Sequence, residues 1–207
     1  MRGSLQKLSE YIIYVIPSRC VGCKSCEIAC AVEHSASKDL LTAILESPKP
    51  KSRVKVTPAD NFYVPMRCMH CEDAPCVAVC PTGAMQKTSE GYVICDPLTC
   101  IGCRACVIAC PFGHPIYDPL VKSTIKCDHC LDRVREGVPP ACVEACPTGA
   151  LRYGKTEEVL AEMAKKKAEE FITGLGGGGV IYKPLEREAP ESPIQKIREA
   201  YKPVRWW

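Results

Sequence analysis

CIGCRACVIACP, residues 100 to 111, is the stretch that decides how this chain is built. Cys100, Cys103, Cys106 and Cys110 follow the spacing C-x2-C-x2-C-x3-C and Pro111 closes it, the arrangement that holds a cubane 4Fe-4S cluster. The first three thiolates lie on a loop that wraps three corners of one cube, and Gly102 lets the backbone pass close to it. Cys106 and Cys110 stand at i and i+4, on one face of a short helix, so the fourth thiolate reaches past its own cluster to a neighbour. Clusters of this type are therefore made in pairs. The proline after the last cysteine ends the helix and keeps the chain out of the second cube's space.

Working outward, CVGCKSCEIAC at 20 to 30 repeats CIGCRACVIAC at 100 to 110 and sets Cys20, Cys23, Cys26 and Cys30 at the same spacing. Two further groups keep the opening knuckle and the closing pair. Cys68, Cys71, Cys76 and Cys80 follow C-x2-C-x4-C-x3-C before Pro81, and Cys127, Cys130, Cys142 and Cys146 follow C-x2-C-x11-C-x3-C before Pro147. CPTGAM at 80 to 85 recurs as CPTGAL at 146 to 151, so the chain reads as a duplicated two-cluster unit. A zinc ribbon uses two separated C-x2-C knuckles for one tetrahedral ion and has no place for the extra cysteines that follow three of these knuckles, so iron-sulfur is favoured over zinc. The fourth group would look zinc-like alone, but it ends in the same Cys-Pro-Thr-Gly-Ala as the second.

Composition agrees. The chain has 17 cysteines in 207 residues, with 18 prolines and 6% aromatic residues, which leaves a thin apolar core. An odd cysteine count, this length and no secretory signal in Met1 to Ile16 argue against a disulfide framework. Tyr11 to Ile16, the longest apolar run near the start, falls far short of the roughly 20 residues a bilayer requires, so a soluble chain is expected. Formal charge is +3 with cysteines counted as thiols, too small to argue for nucleic acid. Four oxidised cubanes, each about −2 with its thiolates, take that to roughly −5.

Between the second and third groups, PTGAMQKTSEGYVICDPLT reads as a strand, a Ser-Glu-Gly turn and a second strand at Tyr92 to Ile94, a connector that suits a compact two-cluster module. The second group is therefore expected to pair with the third, and the first with the fourth around it. The expected ligand sets are Cys68, Cys71, Cys76 with Cys110; Cys100, Cys103, Cys106 with Cys80; Cys20, Cys23, Cys26 with Cys146; and Cys127, Cys130, Cys142 with Cys30. Residues 1–57 and 112–154 then form an outer module, residues 58–111 an inserted one, and residues 155–207 a C-terminal helix and tail. Tyr11 to Ile16 is expected to be a strand entering the first cluster loop, and Arg53 to Val56 an exposed-edge strand. Residues 155–173 read as a helix, with Thr156 as cap, Glu157 and Glu158 in the first turn, and an apolar stripe of Val159, Leu160, Met163, Ala164 and Phe171. The proline-broken tail from Val180 to Trp207 is either a loose arm or a docking arm onto a partner.

The four spacings, in this order, resemble the four-cluster ferredoxin-type electron-transfer subunits of dimethyl sulfoxide reductase, formate dehydrogenase and related enzymes, over residues 12 to 153. Within that group, residues 23–40, 68–76 and 140–154 are most similar to the iron-sulfur protein that accompanies anaerobic carbon monoxide dehydrogenase. The resemblance implies an α+β fold of two pseudo-symmetric ferredoxin-like modules, with short strands, short cluster helices and many loops. It also implies four 4Fe-4S clusters, since Cys103 is present where some relatives replace a cysteine of the third group.

Other residues are read more plainly. His70 and His129, inside ligand loops, are expected to be satisfied surface histidines rather than groups that tune a cluster, and His34 and His114 follow the ligand helices. Cys95 is expected to be a small buried filler. Lys24 and Arg104 occupy the same slot in the repeated loops, and Arg67 and Lys126 precede the first ligand of a group. Cations there favour a reduced cluster, but on a loop surface they are expected to be solvated or partner-facing. With no G-x-G-x-x-G, phosphate loop or acyl-transfer set, the chain is expected to be a non-catalytic electron relay in a cytoplasmic, anaerobic oxidoreductase complex. The resemblance suggests carbon monoxide dehydrogenase on one side and a hydrogenase or flavin-dependent NAD(P) reductase on the other. The alternatives are the iron-sulfur subunit of a molybdenum or tungsten pterin enzyme such as formate dehydrogenase or aldehyde oxidoreductase, and a structural or redox-sensing cluster protein.

Overall fold

Among the described residues the strands come in four separate antiparallel pairs, and the way they pair organises the chain. β1 (Tyr11–Val15) leads through the first cysteine group to α1 (Ser25–Glu33) and α2 (Leu40–Ala43), then to the hairpin β2 (Val54–Ala59) and β3 (Phe62–Arg67). The second group carries α3 (Pro75–Ala78) and is followed by β4 (Met85–Lys87), which pairs with β5 (Val93–Cys95). The third group carries α4 (Ala105–Ala109) and leads to the hairpin β6 (Ile116–Asp118) and β7 (Ser123–Ile125). The fourth group spans α5 (Leu131–Arg135) and α6 (Ala141–Glu144), and β8 (Leu151–Lys155) returns to pair with β1 before α7 (Thr156–Gly174). The computed structural model describes residues 10–174; the tail from Val180 to Trp207 lies outside the described residues.

Strand, cysteine group, hairpin, cysteine group, strand thus occurs twice, and the closing strands are exchanged: β8 lies on β1 and β4 on β5. Duplication joins groups one and two, whereas sheet pairing joins one with four and two with three. Helix packing follows the sheets, with α1 against α6 and α3 against α4. The apolar cores are small and contain the cysteines themselves. One is built from Ile13, Val54, Val56 and Leu151 with Cys26, Cys30 and Cys142; the other from Met85 and Val93 with Cys76 and Cys106.

The β2–β3 hairpin crosses the module boundary expected at residue 57, and its second strand had no counterpart in the expectation. The signal was the turn at Asp60, which adopts a left-handed φ of 49° before Phe62-Tyr63-Val64. Val54 and Val56 are buried with Lys55 exposed between them, the period of a half-covered strand. β6 and β7 were not anticipated either, being three residues each.

One compact unit ends at Ala161 and a second begins at Glu162. In the first, the Thr156 amide donates to the Glu10 carbonyl oxygen at 2.9 Å and its hydroxyl to the same atom at 3.3 Å, so the expected cap residue anchors the helix start to β1's leading edge. Val159 is buried beside Gly154. Of the rest of the expected apolar stripe, Leu160 in this unit and Met163 and Phe171 in the second are exposed among the described residues. In the second unit, Lys166 pairs with Glu162 and Lys167 with Glu170 along the helix surface.

Candidate metal centre

Each ligand loop is curled by residues with left-handed backbone. In the first and third groups these are Gly22 and Lys24 (φ 70° and 60°) and Gly102 and Arg104 (φ 68° and 65°), the charged residue in each case being the N-cap of the cluster helix. In the second and fourth groups they are His70 (φ 49°), His129 (φ 66°) and Cys130 (φ 50°). Successive left- and right-handed residues turn backbone N–H groups into a concavity suited to anions. Some of those donors reach sulfur: the amides of Met85 and Leu151 lie 3.4 and 3.5 Å from Cys80 Sγ and Cys146 Sγ, and the Arg53 amide 3.2 Å from Cys30 Sγ. Such donors stabilise thiolate, and with side-chain help from Thr82 and Thr148 they outweigh burial and hold the Cys80 and Cys146 thiols below their ordinary pKa.

The geometry brings the cysteines together in nested groups. Cys68, Cys71, Cys76 and Cys110 line one enclosed cavity, with Val93, His114 and Lys126 among its other walls. The Cys142 thiol is pushed well up by burial and by the charges of Cys127, Cys30 and Cys130. Burial raises Cys130 to about 12 and Cys127 to about 11, with Asp128 and Cys30 adding to both. Burial likewise lifts Cys26 to about 11, with Cys146, Glu27 and Cys20 as charged neighbours. Cys106 is raised by burial and feels Cys100 and Cys103, while Cys80 packs against the core that contains Cys106. Cys23 and Cys103 are exposed, so the first and third groups each bring one ligand position to the surface.

Several thiols crowded in a buried space, each raising its neighbours' pKa, are unfavourable as thiolates without a cation among them. Iron supplies that charge, and binding must release the protons. The buried polar atoms left without a partner agree: among the described residues, Arg67 Nε, His70 Nε2, His114 Nε2 and both ring nitrogens of His129 have none, and all five lie on or near the ligand loops. The N–H donors among them are satisfied by a polarisable acceptor such as sulfide. The residues present fit the group.

Around this frame the structure corrects three expectations. His70 and His129 are not surface groups: they are 9% and 2% exposed, and their rings meet edge to face at 5.2 Å. Val93 N–H donates to His70 Nδ1 at 3.0 Å, and Tyr92 stacks on His129 with ring centroids 4.3 Å apart. Burial, aided by Arg67, lowers His129 to about 3, so the ring is neutral. Arg67 and Lys126 are not solvated either. Arg67 donates to the carbonyl oxygens of Ile13 and Cys68, and Lys126 to those of Val93 and Cys127. Each cation serves the other group: Arg67 offsets the raised thiols of Cys127 and Cys142, and Lys126 that of Cys76. Cys95, expected to be buried, is only half-buried, and its thiol is pushed up to about 12, by burial first and then by the charges of Cys100 and Cys106. Of the two repeated-loop cations, Arg104 lies over the Tyr117 ring at 4.1 Å.

His34 was placed only as following a ligand helix. Its Nδ1 lies 2.7 Å from the Cys30 carbonyl oxygen and its Nε2 3.1 Å from Asp128, which also takes Arg53. Burial opposes the charge, but the Asp128 and Cys30 hydrogen bonds hold His34 up to about 9. His34, Asp128 and Cys130 also gather as possible metal donors, yet the imidazole and carboxylate are engaged with each other and with Arg53, which makes them an ion-pair buttress.

Fold and site together define a multicluster iron-sulfur protein. Residues 59–156 match the model of a 4Fe-4S dicluster domain, and residues 19–84 match a second 4Fe-4S dicluster model. The chain is 40% identical over 160 residues to the B subunit of anaerobic dimethyl sulfoxide reductase of Escherichia coli, covering 73% of this chain and 76% of that subunit. It is 40% identical over 172 residues to an iron-sulfur protein of Rhodospirillum rubrum (77% and 90%), and 38% identical over 151 residues to the thiosulfate reductase electron transfer subunit PhsB of Salmonella typhi (72% and 78%). The chain belongs to the iron-sulfur subunit family of dimethyl sulfoxide reductase, and it carries four 4Fe-4S clusters. No helix among the described residues is long and apolar enough to cross a membrane.

Proposed function

We propose that this chain relays single electrons through four clusters held by Cys20, Cys23, Cys26 with Cys146; Cys127, Cys130, Cys142 with Cys30; Cys68, Cys71, Cys76 with Cys110; and Cys100, Cys103, Cys106 with Cys80. The observation that carries this reading is the single cavity lined by Cys68, Cys71, Cys76 and Cys110, because three of its cysteines come from one group and the fourth from another. The clusters supply one-electron redox chemistry. The chain's own part is to hold them apart from water, donate N–H to their ligands and place cations beside them, as a non-catalytic subunit in a compartment that keeps thiols reduced, the cytoplasm.

A partner supplies or takes the electrons. The names of the dimethyl sulfoxide and thiosulfate reductase relatives favour a molybdenum or tungsten pterin subunit. The similarity of residues 23–40, 68–76 and 140–154 to the partner of carbon monoxide dehydrogenase, with a hydrogenase or flavoprotein downstream, favours a second. Anaerobic affinity purification of the tagged full chain tests both, followed by metal analysis of what copurifies and by paramagnetic resonance during reductive titration. Molybdenum or tungsten supports the first and nickel the second. Clusters that cannot be reduced without unfolding the protein would overturn the relay itself.

A further inference from the structure

His34 and His114 hold equivalent places, each four residues after the closing cysteine of its group. Their surroundings differ at one decisive position. Asp128, which follows Cys127, takes His34 Nε2; the residue that follows Cys68 at the matching position is Met69, whose thioether offers no carboxylate. His34 Nε2 is thereby engaged by Asp128, and its Nδ1 lies 2.7 Å from the Cys30 carbonyl oxygen and 3.8 Å from Cys30 Sγ. His114 Nε2 is buried with no partner, and His114 and Met69 both line the cavity of Cys68, Cys71, Cys76 and Cys110. Lys126, which also lines it, has two of its three ammonium donors on the carbonyl oxygens of Val93 and Cys127, whereas His114 Nε2 has no partner.

We infer that His114 is a positioning residue for electron transfer: in the tautomer protonated at Nε2, its N–H points to the sulfur of the cluster held by Cys68, Cys71, Cys76 and Cys110 and raises that cluster's reduction potential. This rests on the ligand set proposed above. A hydrogen bond to sulfur strengthens as one electron is added and sulfur becomes more negative, so the reduced state gains more than the oxidised one. His114 keeps its proton throughout; only the electron moves, from the titrant to the cluster. In the outer module the equivalent imidazole, His34, faces the Cys30 sulfur through Nδ1 at 3.8 Å while Asp128 takes its Nε2, so the Asp-to-Met difference leaves the two halves with different ring nitrogens available to their clusters.

The test is a potentiometric titration of the whole loaded chain, followed by paramagnetic resonance, in His114→Leu, His114→Gln and His34→Leu, with Cys68→Ser and Cys110→Ser to mark the signal of the cavity cluster. His114→Leu should lower the reduction equilibrium of that one cluster at least tenfold, about 59 mV for a one-electron couple, and leave the other three in place. His114→Gln, whose amide can still donate, should recover at least half of the shift. If Cys68→Ser and Cys110→Ser alter two different signals, the ligand set falls and the inference with it. If they alter one signal and His114→Leu does not move it, or glutamine behaves as leucine, or His34→Leu moves it equally, the inference alone is overturned.

Discussion

Alanine at Gly102 should damage the third cluster loop, while alanine at Gly83 should be tolerated. Both glycines are left-handed, at φ +68° and +69°, so both substitutions carry the same backbone penalty of about 1–2 kcal/mol. At Gly83 a new Cβ meets nothing within 4 Å. At Gly102 it would lie 2.8 Å from the Lys122 carbonyl oxygen and 3.0 Å from the Tyr117 ring. The first of these is main chain in the connection between β6 and β7, which cannot rotate aside, so relief requires moving the loop that carries Cys100 and Cys103. Overpacking of this kind costs about 1–3 kcal/mol beyond the shared penalty. At roughly 2–4 °C per kcal/mol for a domain of this size, Gly102→Ala should melt about 2–12 °C below Gly83→Ala. Gly22→Ala should fall between them, because its Cβ meets the Tyr63 ring at 2.9 Å and that half-exposed side chain can swing outward. The assay is anaerobic purification of all three, iron per chain, and bleaching of cluster absorbance on heating. Equal iron content and equal bleaching temperature for Gly102→Ala and Gly83→Ala would refute the reasoning.

Cys142→Ser should lose the cluster of the fourth group and lower iron by about a quarter, whereas Cys95→Ser should keep the full complement at a cost of about 1 kcal/mol or less; iron and sulfide analysis separates the two. Lys126→Met removes a buried cation and leaves the Val93 and Cys127 carbonyl oxygens without that donor. It should destabilise by about 1–3 kcal/mol and lower the potential of the cluster beside Cys76, read by thermal bleaching and redox titration. Stripping iron with a chelator should abolish cooperative unfolding in circular dichroism, since both cores are built partly of ligand cysteines. The loaded protein should migrate as an anion at pH 7 although its sequence carries +3, because four clusters bring about −8; cathodic migration of the holoprotein would count against four oxidised cubanes.

The cysteine groups, the prolines behind them and the hairpin between groups two and three were legible along the chain, because each is a local device: a ligand loop, a helix stop, a turn. β4 and β5 form where that hairpin was expected, displaced by about one residue, and α7 starts at Thr156. The burial of His70, His129, Arg67 and Lys126 was not legible. Their partners are remote: Arg67 finds the Ile13 carbonyl oxygen across 54 residues, Lys126 finds that of Val93 across 33, and His129 stacks on Tyr92. A histidine between two ligands in a loop carries no local mark of being buried, and neither does a basic residue just before one.

What the sequence determined by itself was the chemistry, since the number of cysteines and the intervals between them dictate four cubanes wherever the loops lie in space. Tertiary structure decided the surroundings of those cubanes. The exchange of β4 and β8 brings the fourth group against the first and the second against the third, and with them a cation, a histidine and a hydrogen-bond donor from elsewhere in the chain. The physical reason is range: metal ligation within a loop is set by a few bonds of backbone, while the desolvation and charge that tune a cluster come from side chains that only the closed fold can assemble.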